Sequence, residues 1–176
     1  LLISKNSGSS FLLGPPSEIP AEGGVVVEIG AGGLLVDSFR PRTGKRYLAV
    51  SNSVTRAWSD SISKRRTLLQ CAGKGSALIH VARDLSGSQD WRLIFANVPG
   101  THGGTPAGLV IRGSNDSGDN WPDDLAVLLD EGKRADHPAL AMRGKNTVAI
   151  LYASGRGELC VQYLELPAVV KKAVSF

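Results

Sequence analysis

Residues 114–121 read SNDSGDNW, and four of these eight positions carry residue types that favour one particular tight turn. The short carboxylate of Asp116 is suited to accept amide protons within the turn, and the hydroxyl of Ser114 can add a local hydrogen bond. Gly118 can take a positive φ at little cost. Trp121 is expected to pack its ring beneath the turn. The pattern therefore predicts a hairpin turn between two strands.

The same pattern recurs twice in weaker form, which is typical of a repeat architecture. In the first copy, residues 4–11, the matching positions are Ser4, Asn6, Gly8 and Phe11. In the second copy, residues 51–58, only Ser51 and Trp58 match. An apolar run precedes each copy, and the copies begin at residues 4, 51 and 114, which places them 47 and 63 residues apart. This spacing fits successive four-stranded units of about 40 to 50 residues plus loops.

Short strand-like runs separated by glycine-rich turns dominate the rest of the chain, and no helical period appears before its last dozen residues. Strands are predicted at Val25–Ile29, Gly33–Asp37, Tyr47–Ser51, Ala77–Arg83, Trp91–Ala96, Leu109–Gly113, Leu125–Leu129, Ala139–Arg143, Val148–Tyr152 and Leu159–Leu166. Residues 99–106 are predicted to form a turn cluster. We therefore expect an all-β architecture.

Composition excludes several classes of protein. The hydrophobic fraction is 42%, which does not indicate disorder, and no segment reaches the roughly eighteen apolar residues of a membrane span. The net charge is +4, with the densest basic run at Arg40, Arg42, Lys45 and Arg46. This run is either a set of solvated loop residues or an anion-binding rim. A nucleic-acid partner is disfavoured because no aromatic residues interleave with the basic ones.

No cofactor or metal is expected. Cys71 and Cys160 lie in or beside apolar runs, which favours buried free thiols, with one disulfide as the alternative. The cysteines therefore do not determine whether the protein resides in a reducing or an oxidising compartment. The acidic residues of the 116–124 segment lack the Gly and Glu spacing of an EF-hand, and no Cys or His spacing suggests zinc.

Several segments, taken in order, resemble the C-terminal half of the sialidase family, whose six-bladed β-propellers carry turns of the SNDSGDNW kind, called Asp-boxes. The segments are VVVEIGAGGLLVDSFR, WRLIFANVPG, LVIRGSNDSGDNWP and HPALAMRGKNTVAILYASG. The resemblance covers residues 1–166 and implies about three to four four-stranded blades, with residues 167–176 as a tail. It also implies that the chain opens within a blade, so we expect a fragment, a processed chain or one partner of a split propeller.

The resemblance implies a set of site residues that can be compared position by position. Sialidases hold the substrate carboxylate with three arginines and attack with a tyrosine that a glutamate activates, while an aspartate serves as acid/base catalyst. His137 occupies the place of the tyrosine, and Glu22 lies one residue from that of the glutamate. Arg40 falls near the place of the second arginine, and Arg42 and Arg46 are the alternatives for that role. Pro106 stands where the third arginine is expected.

Two functions follow from this comparison. The first is a catalytically degenerate module that binds glycans or acts as a protein scaffold in a larger assembly. The second is an exo-acting glycoside hydrolase of the sialidase or trans-sialidase type, completed by an N-terminal half and using Arg40, Glu22 and either Asp136 or His137. The expected partners are the missing half of the propeller, from the same precursor or another chain, and sialylated or other acidic glycans.

Overall fold

The computed structural model describes residues 2–4, 6–13, 24–29, 33–40, 45–51, 62–70, 75–81, 93–102, 105–116, 118, 120–130 and 135–166. The strands in this part of the chain are β1 (Leu2–Ile3), β2 (Leu12–Leu13), β3 (Gly24–Ile29), β4 (Gly33–Arg40), β5 (Lys45–Ser51), β6 (Ile62–Gln70), β7 (Ser76–His80), β8 (Leu93–Asn97), β9 (Gly100–His102), β10 (Thr105–Ala107), β11 (Leu109–Ser114), β12 (Ala126–Leu129), β13 (Ala135–Arg143), β14 (Thr147–Ser154) and β15 (Leu159–Glu165). A short 3-10 helix, Asp123–Leu125, precedes β12.

The strands form antiparallel sheets in which neighbours along the chain are neighbours in space. The first four-stranded sheet has the order β3-β4-β5-β6, and the second has the order β7-β8-β11-β12. A three-stranded sheet has the order β13-β14-β15. The pairs β1-β2 and β9-β10 form separate hairpins, and the second of these is inserted between β8 and β11. Each large sheet is therefore a simple meander, as short turns between antiparallel strands allow.

The second four-stranded sheet is covered on both faces. Alternate residues of a strand point to opposite faces, and every residue of β8 is buried. Leu93 and Phe95 belong to the cluster shared with Val25 and Val27 of the first sheet. The neighbouring Ile94 belongs to a larger core shared with the three-stranded sheet. The core therefore lies between sheets that stack face to face. Burial of each large apolar side chain in it contributes about 1.5 to 3 kcal/mol.

The larger core also includes alternate residues of β14. Val148, Ile150 and Tyr152 are buried and point toward the second four-stranded sheet. The intervening Leu151 is 39% exposed, because it points to the opposite face. The three-stranded sheet is therefore covered on one face by the described residues.

The predicted all-β architecture is confirmed, with local differences that include the following. The segment at 99–106, predicted as a turn cluster, contains the β9-β10 hairpin. The strand β6 was not predicted, because its sequence ISKRRTLLQ interrupts the apolar pattern with three consecutive cations. It lies at one end of its sheet's strand order, a position where natural sheets tolerate charged residues.

Candidate functional site

The turn at residues 114–121, here the Ser114 turn, is closed by its own side chains. The Ser114 hydroxyl donates to Asp116 Oδ1 at 2.8 Å and accepts from the Gly118 N–H at 2.9 Å. Asp116 also accepts from the backbone N–H of Asn120 at 2.8 Å and from its side-chain amide at 2.5 Å. Gly118 has a φ of 86°, and its carbonyl accepts from Trp121 Nε1 at 3.2 Å. Such a network fixes a backbone turn rather than a ligand.

The turn at residues 4–11, here the Ser4 turn, uses the same spacing with an amide in place of the carboxylate. The Ser4 hydroxyl donates to Asn6 Oδ1 at 3.0 Å and accepts from Gly8 N–H at 2.8 Å. Asn6 Oδ1 accepts from the N–H of Ser10 at 2.9 Å, and Gly8 has a φ of 88°. Phe11, at the position corresponding to Trp121 of the Ser114 turn, is 59% exposed.

The remaining sequence-derived candidates fall partly within the described residues. Arg40 is the last residue of β4 and pairs with Lys45 of β5. Arg46, the second residue of β5, pairs with Phe39, the residue before Arg40. Ser51 ends β5. Three candidates lie outside the described residues: Glu22, Arg42 and Trp58. Cys71, the acidic Asp119 and the tail at 167–176 also lie outside them, whereas Cys160 is a half-buried free thiol.

His137 lies on a bulge near the start of β13. The register with β14 pairs Asp136 with Ala153 and then Ala139 with Leu151, so β13 carries one extra residue at this point. His137 has a φ of 50°, and its N–H donates to Asp136 Oδ1 at 2.9 Å. Its imidazole is 74% exposed, with Nε2 3.8 Å from Asp136 Oδ2. The side chain can therefore reach a ligand at this end of the sheet.

A polar cluster that sequence reasoning missed joins two sheets near the same end. The Tyr152 hydroxyl donates to the carboxylate of Asp130 and accepts from Gln162 Nε2 at 2.7 Å. Burial, and then the hydrogen bond to Asp130, raise the pKa of the Tyr152 phenol far above its ordinary value. The phenol is thus held as a neutral donor. No local spacing signals this cluster, because its members lie on separate strands and loops.

The cluster forms part of a cleft of about 700 Å³. Its lining includes Asp130, Tyr152, Ser154, Arg156, Glu158 and Gln162. Because Ser154 pairs with Ala135 at the start of β13, the cleft opens at the end of the sheet that carries His137. Its walls present donors, acceptors and charges of both signs beside the apolar surface of Cys160 and Val161, as in a site that fixes a ligand with a few polar groups.

Two features are absent from the described residues. Within the ranges that the structure describes, no group of three or more His, Cys, Asp or Glu side chains is arranged to hold a metal ion. The same ranges contain no helix with the length and apolar character needed to cross a membrane.

The chain is similar to known proteins in both sequence and structure. No protein-family model matches the chain. A sialidase of Bacteroides fragilis (strain YCH46) is 27% identical over 171 residues, which cover 97% of this chain and 31% of that protein. The solved structure of the Hadza microbial sialidase Hz136 matches with a TM-score of 0.79 and 27% identity, covering 95% of this chain and 32% of that one.

A second solved structure extends the match at lower identity. The NanB sialidase from Streptococcus pneumoniae matches with a TM-score of 0.64 and 20% identity, over 94% of this chain and 27% of that one. The chain spans about a third of the length of the relatives it matches. It is therefore part of a sialidase-like fold, as the sequence resemblance predicted.

Proposed function

We propose that the chain belongs to a sialidase-like propeller that has lost sialidase chemistry and acts as a glycan-binding or protein-scaffold module in a larger assembly. The observation that carries the proposal is a contrast between two parts of the molecule. The Ser114 turn keeps its complete hydrogen-bond network. The position that resembles the tyrosine nucleophile instead holds the imidazole of His137, on a bulge and exposed to solvent.

The residues present support a loss of catalysis. An imidazole has no phenolic oxygen with which to form the covalent intermediate. Pro106, in place of a clamp arginine, provides no charge-assisted contact to a substrate carboxylate. Tyr152 does not replace the missing nucleophile in this proposal, because the residue is buried and burial raises its pKa, which disfavours the phenolate.

The outer face of the three-stranded sheet supports a role within a larger assembly. Three alternate residues of β15 are exposed, Leu159 by 75%, Val161 by 54% and Tyr163 by 58%, and Leu151 of β14 lies on the same face. Apolar patches of this kind on a monomer commonly mark interaction sites. Since sheets already stack face to face on both sides of the second four-stranded sheet, and the relatives are about three times longer, we assign this face to a further blade of the complete propeller.

This assignment can be tested with Val161→Lys in both the 176-residue chain and the complete propeller. We expect little change in the isolated chain, where Val161 faces water. In the complete propeller, burial of the new charge should lower the free energy of unfolding by about 2 to 3 kcal/mol. Lys145→Glu, at an exposed turn, is the control. No change in the free energy of unfolding of either form would argue against a covering blade. If the isolated chain forms a dimer in solution and Val161→Lys dissociates it, the face is instead covered by a second copy of the chain.

The second candidate function is an active exo-acting glycoside hydrolase. It is favoured by the 27% identity that nearly the whole chain shares with a protein named a sialidase. In that case Arg40 and Glu22 would act on the substrate, with Asp136 or His137 near the place of the nucleophile.

One pair of experiments on the complete propeller separates the two functions. Turnover of a fluorogenic sialoside, measured across the acidic and neutral pH range, would establish the hydrolase. Its absence, together with glycan-array binding that Arg40→Ala removes, would establish a ligand-binding module. Failure to bind any glycan or protein partner would contradict the proposed module.

A further inference from the structure

One close approach joins the β13 bulge to the second four-stranded sheet. Gly75 directly precedes β7, and a Cβ placed on it would lie 2.8 Å from both Cα and N of His137. The same atom would lie 3.2 Å from Cδ of Pro138. Real Cβ atoms essentially never approach backbone atoms to 2.8 Å. A side chain at position 75 therefore requires the bulge to move.

The bulge itself holds an uncommon backbone conformation. The φ of 50° at His137 lies in the left-handed region, which residues with a side chain rarely adopt. The N–H of His137 is satisfied by its hydrogen bond to Asp136. Pro138 is buried and has no N–H, so the bulge leaves no strand-pairing donor of this residue unsatisfied. Conformations of this kind persist only where the surroundings impose them, and they occur preferentially at ligand sites.

We propose that Gly75 is a positioning residue for His137. By letting the backbone ahead of β7 touch the bulge, it fixes the left-handed conformation and directs the imidazole out of the end of the sheet, toward a polar ligand. The contact involves only backbone atoms of His137, so the imidazole itself is left exposed. The ligand part of this inference rests on the proposed binding function, whereas the placement of the bulge does not.

The placement can be tested by following histidine imidazole resonances by NMR in Gly75→Ala. We expect the His137 signals to shift, while those of His80, which is also exposed and lies on β7, keep their wild-type positions. Gly100→Ala is the matched control, because a Cβ at Gly100 would meet nothing within 4 Å. A folded G75A protein with unshifted His137 signals would overturn the inference.

If G75A does not fold, adding His137→Gly provides the second test. Glycine at position 137 lets the bulge follow another backbone path, so the double variant should regain folding if the clash with His137 is the cause. A double variant that remains unfolded would overturn the assignment.

The ligand part is tested on the complete protein with a sialylated glycan array. Binding that falls in G75A as far as in His137→Ala, but not in G100A, supports a positioning role. Wild-type binding that G75A leaves intact despite shifted His137 signals overturns that role. If the wild-type protein binds no glycan while the NMR shifts occur as expected, the proposed binding function fails and the placement of the bulge by Gly75 stands.

Discussion

The indole ring of Trp121 lies edge-on against the phenyl ring of Phe95, with the ring centroids 5.8 Å apart and the ring planes inclined by 62°. Aromatic pairs of this geometry are favourable beyond the area that they bury. Phe95 is a buried residue of β8, and both rings belong to the cluster that reaches Val25 and Val27 of the first four-stranded sheet. The Ser114 turn is thus anchored to the core between two sheets.

We expect Trp121→Ala to lower the free energy of unfolding by about 3 kcal/mol, through lost burial, the lost ring pair and the cavity left beside Phe95. Urea unfolding monitored by far-UV circular dichroism measures the change. Trp121→Phe is the matched variant: it keeps a ring but loses the N–H that donates to Gly118 O, and should cost about 1 kcal/mol. Equal losses for the two variants would show that ring packing is not what anchors the turn.

The Ser114 turn and the Ser4 turn differ in one pair of hydrogen-bonded side chains, and exchanging that pair tests its contribution to stability. In the Ser114 turn, Asp116 Oδ2 accepts from the side-chain amide of Asn120, whereas in the Ser4 turn the amide of Asn6 donates to the hydroxyl of Ser10 at 2.8 Å. Asp116→Asn therefore removes a charge-assisted bond and requires the exposed Asn120 amide to rotate and accept with its oxygen, and we expect it to cost about 1 kcal/mol.

Adding Asn120→Ser to Asp116→Asn should recover much of that loss, because it reproduces the amide-to-hydroxyl pair of the Ser4 turn. Differential scanning calorimetry of the wild type, both single variants and the double variant gives the coupling between the two positions. Simple additivity would show that the hydrogen bond between these side chains does not stabilise the turn.

The part of the fold that could be predicted from sequence is the part that rests on local interactions. The hydrogen bonds described for the Ser114 turn span two to four residues, so SNDSGDNW contains both partners of each of them. The pairing of Tyr152 with Asp130 spans 22 residues and two sheets, and no local pattern reports it. The bulge at His137 likewise lies close to Gly75, which precedes the first strand of another sheet.

An ion pair ties the short helix after the Ser114 turn to the sheet. Arg112 is buried on β11, and its Nη1 donates to Asp123 Oδ1 at 2.8 Å, while the carboxylate itself is 68% exposed. We expect Asp123→Ala to cost about 1 kcal/mol, since solvent screens the exposed partner but the buried guanidinium loses a hydrogen bond. Thermal unfolding measures the loss, with Asp124→Ala, the adjacent exposed carboxylate, as the control. Equal effects of the two variants would contradict a specific role for the pair.

The raised pKa of Tyr152 gives the protein a defined response to alkaline pH. The folded protein holds the phenolic proton more tightly than the unfolded chain, in which a tyrosine has a pKa of about 10. The stabilisation linked to this proton is therefore fully present below about pH 10 and is lost as the pH rises above it.

Tyr152→Phe should remove this alkaline loss and cost about 1 to 3 kcal/mol at neutral pH, because Asp130 and Gln162 lose a buried partner. Urea unfolding between neutral and alkaline pH tests both effects. Tyr163→Phe, on the exposed face, should retain the wild-type alkaline loss, and a Tyr152→Phe protein with an unchanged pH profile would contradict the assignment.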